Sequence, residues 1–321
     1  MIKYYAVRHK SLDVVKSSRS GGFFTALSDY VLQHNGIIYG CAFNAELEVV
    51  HIRATTFAER DQCRGSKYVQ SVLGDTFELL KKDLEENKLV LFSGTSCQVN
   101  SLLHFLGSSY DNLLTLDILC HAVSSPKVFE KLKLYVKNKY KSSIDFVDFR
   151  NKLKYGWGAD MMTIKTKHKS FDTQSFYSFF WQHISIRPSC FNCKYHKLDR
   201  GKVDFTVGDF WGIEKLYSDF KDDRGTSMVI CNTVKGQEVF SKIRNFLIVK
   251  NVSVENIIQP VLIGNFEYNP KRESFFIDLD RLSYSELERK YISSNRFYNH
   301  SKQMAKSIIL SLIHISEPTR R

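Results

Sequence analysis

Lys88 to His121 read KLVLFSGTSCQVNSLLHFLGSSYDNLLTLDILCH, and this stretch decides the expected fold. Leu89 to Phe92 form a short apolar run typical of a buried parallel strand, and a polar turn follows. Apolar residues then recur at helical spacing, and a second apolar run, Leu113 to Leu119, follows them. The pattern predicts strand, turn, helix and strand, with Cys97 and Cys120 near the carboxyl ends of the two strands. Open α/β sheets bind ligands at this edge.

The cysteines indicate metal or redox chemistry. Cys97 is expected in the first helical turn, where free amide groups and the helix dipole stabilise a thiolate. The chain has seven cysteines, and its start lacks a signal-peptide core, so a disulfide framework is not expected. No apolar run reaches membrane-spanning length. We therefore expect a cytoplasmic protein with no membrane span.

The length of the chain limits the number of its domains, and its net charge limits the kinds of partner it favours. A chain of 321 residues, 43% hydrophobic, has room for one large or two modest domains. The net charge of +12 favours an acidic partner, such as nucleic acid, anionic lipid, a phosphorylated cofactor or an acidic electron carrier. Because the basic residues are scattered and no nucleic-acid motif is present, we expect no nucleic-acid partner.

Strands and helices alternate through the first half of the chain. This alternation predicts an α/β fold, a mixed sheet with helices on both faces, over residues 1–150. A smaller α+β subdomain is expected over 151–250 and a helical extension over 251–309. Residues 310–321 resemble the translation of a sequencing-library adapter, so we expect the natural C-terminus to be missing and exclude His314 as a ligand.

Cys190 and Cys193 form the Cys-x-x-Cys pair of the chain. This spacing suits zinc, an iron–sulfur cluster or a redox dithiol. If the second subdomain folds back over the sheet edge, these thiolates can meet Cys97 and Cys120. Four cysteines suit either zinc or a [4Fe–4S] cluster, and the spacing leaves both open.

Three loops carry groups that bind phosphate or flat rings. One precedes a helix whose backbone amides can cradle a phosphate, one combines cations with hydroxyls and an aromatic ring, and one follows the strand at Phe92. Each alone is equally an ordinary helix cap or surface loop. Together they favour redox chemistry with a flavin nucleotide. The candidate residues are Ser20, Gly21, Gly22, Arg64, Ser66, Lys67, Tyr68, Gly94 and Thr95.

Seven motifs, in this order, resemble the coenzyme F420 hydrogenase/dehydrogenase beta-subunit family. They are SRSGGFFTAL (18–27), RGSKYVQS (64–71), LFSGTSCQV (91–99), DILCHAVSSP (117–126), FRNKLKYGWG (149–158), RPSCFNCKY (187–195) and TVGDFWGI (206–213). The resemblance implies an oxidoreductase that carries FAD and a [4Fe–4S] cluster. It would pass electrons between a small-molecule hydride donor or acceptor, coenzyme F420-like or other, and one-electron carriers. Similar chains are common in bacteria that make surface polysaccharides, which extends the resemblance to a role in that biosynthesis.

The resemblance also assigns roles to residues. Cys97 matches the cysteine of the family's GTPCQ motif, Cys120 that of its CHG motif, and Cys190 and Cys193 its CxxC pair. These four are implied as cluster ligands. Two of them lie in the domain expected to bind flavin, 1–150, and two in the subdomain expected to bind the cluster, 151–250. The loop residues named above are implied to surround the flavin, where Lys67 would supply positive charge.

Two candidates are expected to take part in catalysis. Lys67 is one, through its charge beside the flavin. The other is His121, which sits beside Cys120 and could orient a ligand or move a proton, although a histidine in such a place is more often structural. Cys41 and Cys63, by contrast, are expected to be buried thiols without a redox role.

Departures from the family pattern add two expectations. Ser96 replaces the proline of GTPCQ, and Ala122 replaces the glycine of CHG, which affects the local loop conformations. The two-cluster ferredoxin domain common in the family does not precede Lys3, so the sequence is N-terminally clipped or the electrons pass to a separate ferredoxin-like partner. The competing interpretation is a non-redox binding module, stabilised by zinc on the same scaffold.

Overall fold

The structure, a computed structural model, describes residues 2–292. Its strands carry the labels β1 to β11 in chain order. They are β1 (Lys3–His9), β2 (Ile37–Phe43), β3 (Val49–Ala54), β4 (Val90–Thr95), β5 (Leu113–Ile118), β6 (Ile144–Asp148), β7 (Met162–Thr166), β8 (Ser170–Thr173), β9 (Phe205–Asp209), β10 (Ser227–Cys231) and β11 (Leu247–Val252).

The helices are labelled in the same way. They are α1 (Leu12–Ser17), α2 (Phe23–Gln33), α3 (Phe57–Gln62), α4 (Thr76–Glu85), α5 (Ser96–Leu106), α6 (Pro126–Tyr140), α7 (Lys152–Tyr155), α8 (Ser175–Trp181), α9 (Val234–Ile243), α10 (Pro260–Ile263), α11 (Lys271–Arg281) and α12 (Tyr284–Tyr291). Among the residues described, none of these helices is both long and apolar enough to cross a membrane.

An eight-stranded mixed sheet has the order β11-β1-β10-β9-β5-β4-β2-β3. The strands β2, β4, β5 and β9 pair in parallel, and the outer pairings are antiparallel. The predicted strand–helix–strand unit is confirmed as β4, α5 and β5. The predicted turn at 93–96 is wrong, because Ser93–Thr95 continue the strand and pair with Leu116–Ile118, so that α5 starts directly at Ser96.

Helices cover both faces of this sheet. Leu91 of β4 packs into a core with α2 and α9, whereas its neighbours Val90 and Phe92 pack on the opposite face with α4 and α5. Successive side chains of a strand point to opposite faces, so a strand that is apolar throughout is covered on both sides. The predicted mixed α/β fold with helices on both faces is confirmed.

A second sheet, three-stranded and antiparallel, has the order β6-β7-β8. Its core includes α6, α8, α11 and α12, and this core also contacts Cys190. The strands β9, β10 and β11 return to the large sheet, which therefore draws on both sides of residue 150. The domain boundaries and the separate CxxC subdomain stay predictions, and the adapter-like residues 310–321 with His314 lie outside the described residues.

Candidate functional site

Cys97 lies in the first turn of α5, where β4 ends. Thr95 precedes this turn, and its backbone N–H donates to Oε1 of Gln98 at 3.0 Å. The Thr95 hydroxyl is 3.1 Å from Sγ of Cys97, and the cysteine is exposed. The predicted place of Cys97 at a helix start is confirmed.

A cavity of about 800 Å³ opens beside this helix start. Its volume lies within the range of roughly 300–1,000 Å³ usual for cofactor pockets. Eight of the nine loop residues predicted to surround a flavin contribute to its wall, and His121, Cys97 and Cys120 do as well. The eight are Ser20, Gly22, Arg64, Ser66, Lys67, Tyr68, Gly94 and Thr95. The structure thus brings two loops and the end of β4 to one cavity.

Gly21 lies behind this wall. Its N–H donates to the Ser227 hydroxyl at 3.0 Å, and its carbonyl accepts from the N–H of His9 at 2.7 Å. A Cβ at this position would lie 2.2 Å from the Val7 carbonyl oxygen. The close backbone packing therefore requires glycine, which anchors the loop between β1 and β10.

One end of the cavity is suited to an anion. Arg19 and Arg64 line it, and the Nε atom of each is buried without a hydrogen-bond partner. Gly22, the N-cap of the 11-residue α2, has φ 90°, and no side chain caps that helix. Gly65 has φ 77° with open space around its Cβ position. Free guanidinium N–H groups and an uncapped helix start are the groups that bind phosphate.

Lys67 also lies in the wall, but its ammonium is held by the protein. Its Nζ donates to the carbonyl oxygens of Cys41 at 2.9 Å, Gln62 at 2.8 Å and Arg64 at 3.1 Å. Burial lowers the pKa of Lys67, and the nearby thiols of Cys41 and Cys63 oppose this shift. Because an ammonium has three N–H donors, Lys67 can act on a ligand through its charge and not through a further hydrogen bond.

Tyr68 is fixed by aromatic packing and one hydrogen bond. Its ring meets Tyr177 and Phe180 edge-on, at centroid distances of 5.1 and 5.5 Å. Its hydroxyl accepts from Nη1 of Arg150 at 3.1 Å. Burial raises the pKa of Tyr68, so the phenol stays protonated at neutral pH and presents a neutral, rigid surface to the cavity.

His121 faces a second histidine. Its Nε2 lies 2.9 Å from Nε2 of His183, and Phe266 stacks on its ring at 4.5 Å. Burial lowers the pKa of His121 to about 3, and the nearby His183 and His196 contribute to this shift. The imidazole is therefore neutral at physiological pH, and one proton lies between the two facing nitrogens.

Two of the four predicted cluster cysteines have raised pKa values. We call Cys97 and Cys120 the sheet-edge pair, and Cys190 and Cys193 the loop pair. Burial raises the pKa of Cys120 well above its usual value, and the thiols of Cys190, Cys97 and Cys193 raise it further. The pKa of Cys190 is raised by burial and by Cys97 and Cys193. A neighbouring thiolate has this effect because like charges disfavour ionisation.

The described residues do not form a ready metal site. Within residues 2–292, no three His, Cys, Asp or Glu side chains are arranged so that they could hold a metal ion as they stand. The ligand set inferred from the sequence stays a prediction. The chemistry of the donors, four cysteines from two distant segments, is nevertheless that of a zinc or iron–sulfur site.

A hydrogen-bonded row below the cavity was not predicted. His51 Nε2 lies 3.2 Å from the Ser93 carbonyl oxygen, so Nε2 carries the proton and donates. Nδ1 then accepts from the Ser71 hydroxyl at 3.1 Å, and Ser71 accepts from Nε2 of Gln98 at 2.7 Å. The motifs RGSKYVQS and LFSGTSCQV contain Ser71 and Gln98, respectively. His51 belongs to neither motif, and its contact with Ser71 is recognised only from the position of β3 in the structure.

The chain is similar to known proteins in its sequence family and in its fold. The family model for the C terminus of the coenzyme F420 hydrogenase/dehydrogenase beta subunit matches residues 87–256. The fold is similar to that of a chain in a xenon-derivatised F420-reducing [NiFe] hydrogenase complex from Methanosarcina barkeri. The TM-score is 0.53 and the identity 17%, over 91% of this chain and 94% of that chain. At this identity the likeness concerns the fold alone. No curated protein matches the chain.

Proposed function

The chain belongs to the coenzyme F420 hydrogenase/dehydrogenase beta-subunit family, and we propose that it is a flavin- and iron–sulfur-dependent oxidoreductase. It would pass electrons between a small-molecule hydride donor or acceptor and one-electron carriers. One observation carries this proposal. The cavity with the anion-suited end reaches Cys97 and Cys120, two of the four cysteines that we propose as cluster ligands.

The groups present fit FAD. The unpartnered Nε atoms of Arg19 and Arg64, together with the start of α2 at Gly22, would hold its phosphates. Ser20 and Ser66 would add hydroxyl contacts in the same wall. The same cavity is lined by Gly94 and Thr95 beside Cys97, so its volume leaves space for a cofactor.

Other residues would set the environment of the bound group. Lys67 contributes a fixed positive charge from its cradle of three carbonyl oxygens, and such a charge favours a reduced, anionic ring system. His121 is neutral and shares a proton with His183, so it can hold or give up a proton at Nε2. Tyr68 presents a packed ring edge that excludes water.

The sheet-edge and loop pairs would ligate a [4Fe–4S] cluster, with Cys97, Cys120, Cys190 and Cys193 as ligands. Cys97 is exposed, so a cluster bound by the four cysteines would be accessible to a partner at this residue. A bound flavin supplies hydride exchange and one-electron steps, and a bound cluster supplies one-electron transfer.

The partner we propose is a ferredoxin-like carrier or subunit. The net charge of +12 favours an acidic partner, and the M. barkeri chain belongs to a complex. Coenzyme F420 is the hydride carrier named for the family, and another small molecule is the alternative. From the sequence resemblance we propose a cytoplasmic role in the biosynthesis of bacterial surface polysaccharides.

Anaerobic purification tests the proposal directly. We expect a brown-yellow protein with flavin absorption bands, about one FAD and about four irons per chain, and matching acid-labile sulfide. Flavin released by heat is identified by chromatography, and iron and zinc are counted by mass spectrometry. A colourless preparation that contains zinc and no flavin would overturn the proposal and support the zinc-stabilised binding module.

A further inference from the structure

Arg200 is buried in the loop that follows the loop pair, with 5% of its surface exposed. Its Nη1 donates to the Ser96 hydroxyl at 2.9 Å and to the Tyr195 carbonyl oxygen at 2.8 Å. The same atom lies 3.6 Å from Oδ2 of Asp117, a carboxylate that is completely buried. One guanidinium therefore joins three parts of the chain that are far apart in sequence.

Each contact lies beside a cysteine segment. Ser96 directly precedes Cys97, Asp117 stands in β5 three residues before Cys120, and Tyr195 follows Cys193 by two residues. The contacts of Arg200 thus connect the two strand ends of the sheet-edge pair with the loop that carries the loop pair.

Burial makes the connection obligatory. An arginine or an aspartate that loses its partner inside a protein leaves an uncompensated charge, which strongly disfavours that state. Asp117 is fixed in the sheet, since β5 pairs with β4 and β9 on its two sides. The loop has backbone bonds to the chain after β5 near its start, where the N–H of Arg187 donates to the Val123 carbonyl oxygen at 3.0 Å, and the part that follows brings Arg200 to Asp117 by docking on the sheet edge.

Ser96 makes this connection particular to the chain. It stands where the GTPCQ motif has proline, and a proline side chain has no hydroxyl to accept from Arg200. Because Ser96 is the first residue of α5, proline would be compatible with the helix there. The replacement therefore adds a hydrogen bond next to Cys97 without any need from the helix itself.

We propose that Arg200, paired with Asp117 and bonded to Ser96, is the positioning residue that docks the loop pair onto the sheet-edge pair. This inference rests on the proposed function, because it assumes that the four cysteines form one metal site. Arg200 acts through the cysteines and needs no contact with the bound metal.

Cobalt binding to the metal-free full-length protein is the test. Co²⁺ bound by thiolates gives intense charge-transfer absorption whose strength reports how many thiolates coordinate. We expect the wild type to show four-thiolate coordination. Arg200→Gln should bind Co²⁺ about 10- to 100-fold more weakly and with fewer thiolates, as for other residues that orient metal ligands. Flavin binding, measured on the same sample, reports that the cavity is intact.

Conservative variants separate positioning from a general loss of structure. Arg200→Lys keeps the charge without the planar fork and should restore part of the affinity. Ser96→Ala and Ser96→Pro both remove the hydroxyl, and we expect the same roughly tenfold weakening from each. Lys197→Gln changes an exposed residue of the same loop and serves as the matched control, with wild-type affinity expected.

A second variant covers the case in which Arg200→Gln does not fold. Arg200→Met with Asp117→Leu replaces the ion pair by apolar side chains of similar size, an exchange that buried pairs often tolerate. We expect this double variant to unfold at the wild-type temperature and still to bind Co²⁺ with fewer thiolates. Wild-type cobalt spectra and affinity in the double variant would overturn the positioning role.

The outcomes also separate this inference from the proposed function. A wild type without four-thiolate cobalt coordination refutes the shared metal site, and with it the premise. A wild type with that coordination, matched by Arg200→Gln in affinity and spectrum, refutes the role of Arg200 alone.

Discussion

The sheet-edge pair and the loop pair of cysteines are held in different ways. Cys97 and Cys120 follow β4 and β5, whose residues pair in register from Val90 with Leu113 to Thr95 with Ile118. The loop pair lies in the segment 182–204, all of it described, which contains one 3₁₀ turn and no strand. Backbone hydrogen bonds of a continuous ladder place the first pair. The segment of the loop pair has backbone bonds to the chain after β5 near its start, where the N–H of Arg187 donates to the Val123 carbonyl oxygen at 3.0 Å, and side-chain contacts such as those of Arg200 hold the part that follows.

This difference indicates which changes each pair should tolerate. A sheet edge keeps its geometry when a surface side chain is lost, because its ladder is made of backbone groups. A loop held by a few side-chain contacts opens when one of them is removed. Metal binding and local opening should therefore respond to different substitutions in the two pairs.

Loss of a thiol from either pair should have the largest effect. We expect Cys97→Ser and Cys193→Ser to abolish iron binding in anaerobically purified protein, because both pairs contribute ligands in our proposal. Cys41→Ser is the matched control. Cys41 lines the same cavity but is not one of the proposed ligands, so iron content should stay at the wild-type level. Iron lost from Cys41→Ser, or retained in Cys193→Ser, would contradict the ligand assignment.

Two glycines distinguish positions held by backbone packing from open loop positions. Gly21→Ala would place a Cβ 2.2 Å from a carbonyl oxygen between β1 and β10, and we expect a loss of about 3 kcal/mol in unfolding free energy. Gly65→Ala has open space and meets only the strain of its φ of 77°, which costs about 1 kcal/mol. Urea denaturation measures both. Equal losses would mean that the loop at Gly65 is as tightly packed as the sheet.

Acid should lower the free energy of unfolding through His51, which contacts β4 at Ser93. Burial lowers the pKa of His51 to about 4, although its bond to the Ser93 carbonyl opposes the shift. The unfolded chain, with a histidine pKa near 6.5, then binds more protons between those values, so stability falls as pH falls through this window. From pH 7 to pH 5 this contributes a loss of about 2 kcal/mol.

His51→Gln removes this titration and should flatten the pH dependence of stability by that amount. Glutamine can still donate to the Ser93 carbonyl, so the variant keeps that contact. Urea denaturation of both proteins between pH 7 and pH 5 gives the comparison. If stability depends on pH equally in both proteins, His51 has the same, ordinary pKa in the folded and the unfolded chain.

Much of the sheet-edge pair could be predicted from sequence, because apolar runs and helical spacing report regular elements. Cys97 in a first helical turn followed from the position of Phe92 and the helical repeat after it. The extension of β4 through Thr95 did not follow, since Ser93 to Thr95 are small and polar. Their strand conformation comes from pairing with β5, a partner that local composition does not reveal.

The approach of the loop pair could be proposed from sequence, but local spacing does not determine it. Nothing in the spacing of Cys190 and Cys193 states which surface their loop meets, and Arg200 resembles any loop arginine until Asp117 is seen buried beneath it. Lys67 shows the opposite case. Its place in the cavity wall was expected. The three carbonyl oxygens that occupy its ammonium belong to β2, to the end of α3 and to Arg64, and the sequence pattern does not show that these meet.

The smallest expected effect concerns Phe266, which packs on His121 and on His183 at ring distances of 4.5 and 4.2 Å. Phe266→Ala removes aromatic contacts worth about 0.5–1.5 kcal/mol, so the region beside Cys120 should open roughly two- to tenfold more often. Alkylation of the metal-free protein, mapped by mass spectrometry, should accelerate by that factor at Cys120. Cys97 is already exposed at its helix start and should react at an unchanged rate. Equal acceleration at both thiols would mean that the whole sheet edge opens and that Phe266 does not act on the region beside Cys120 alone.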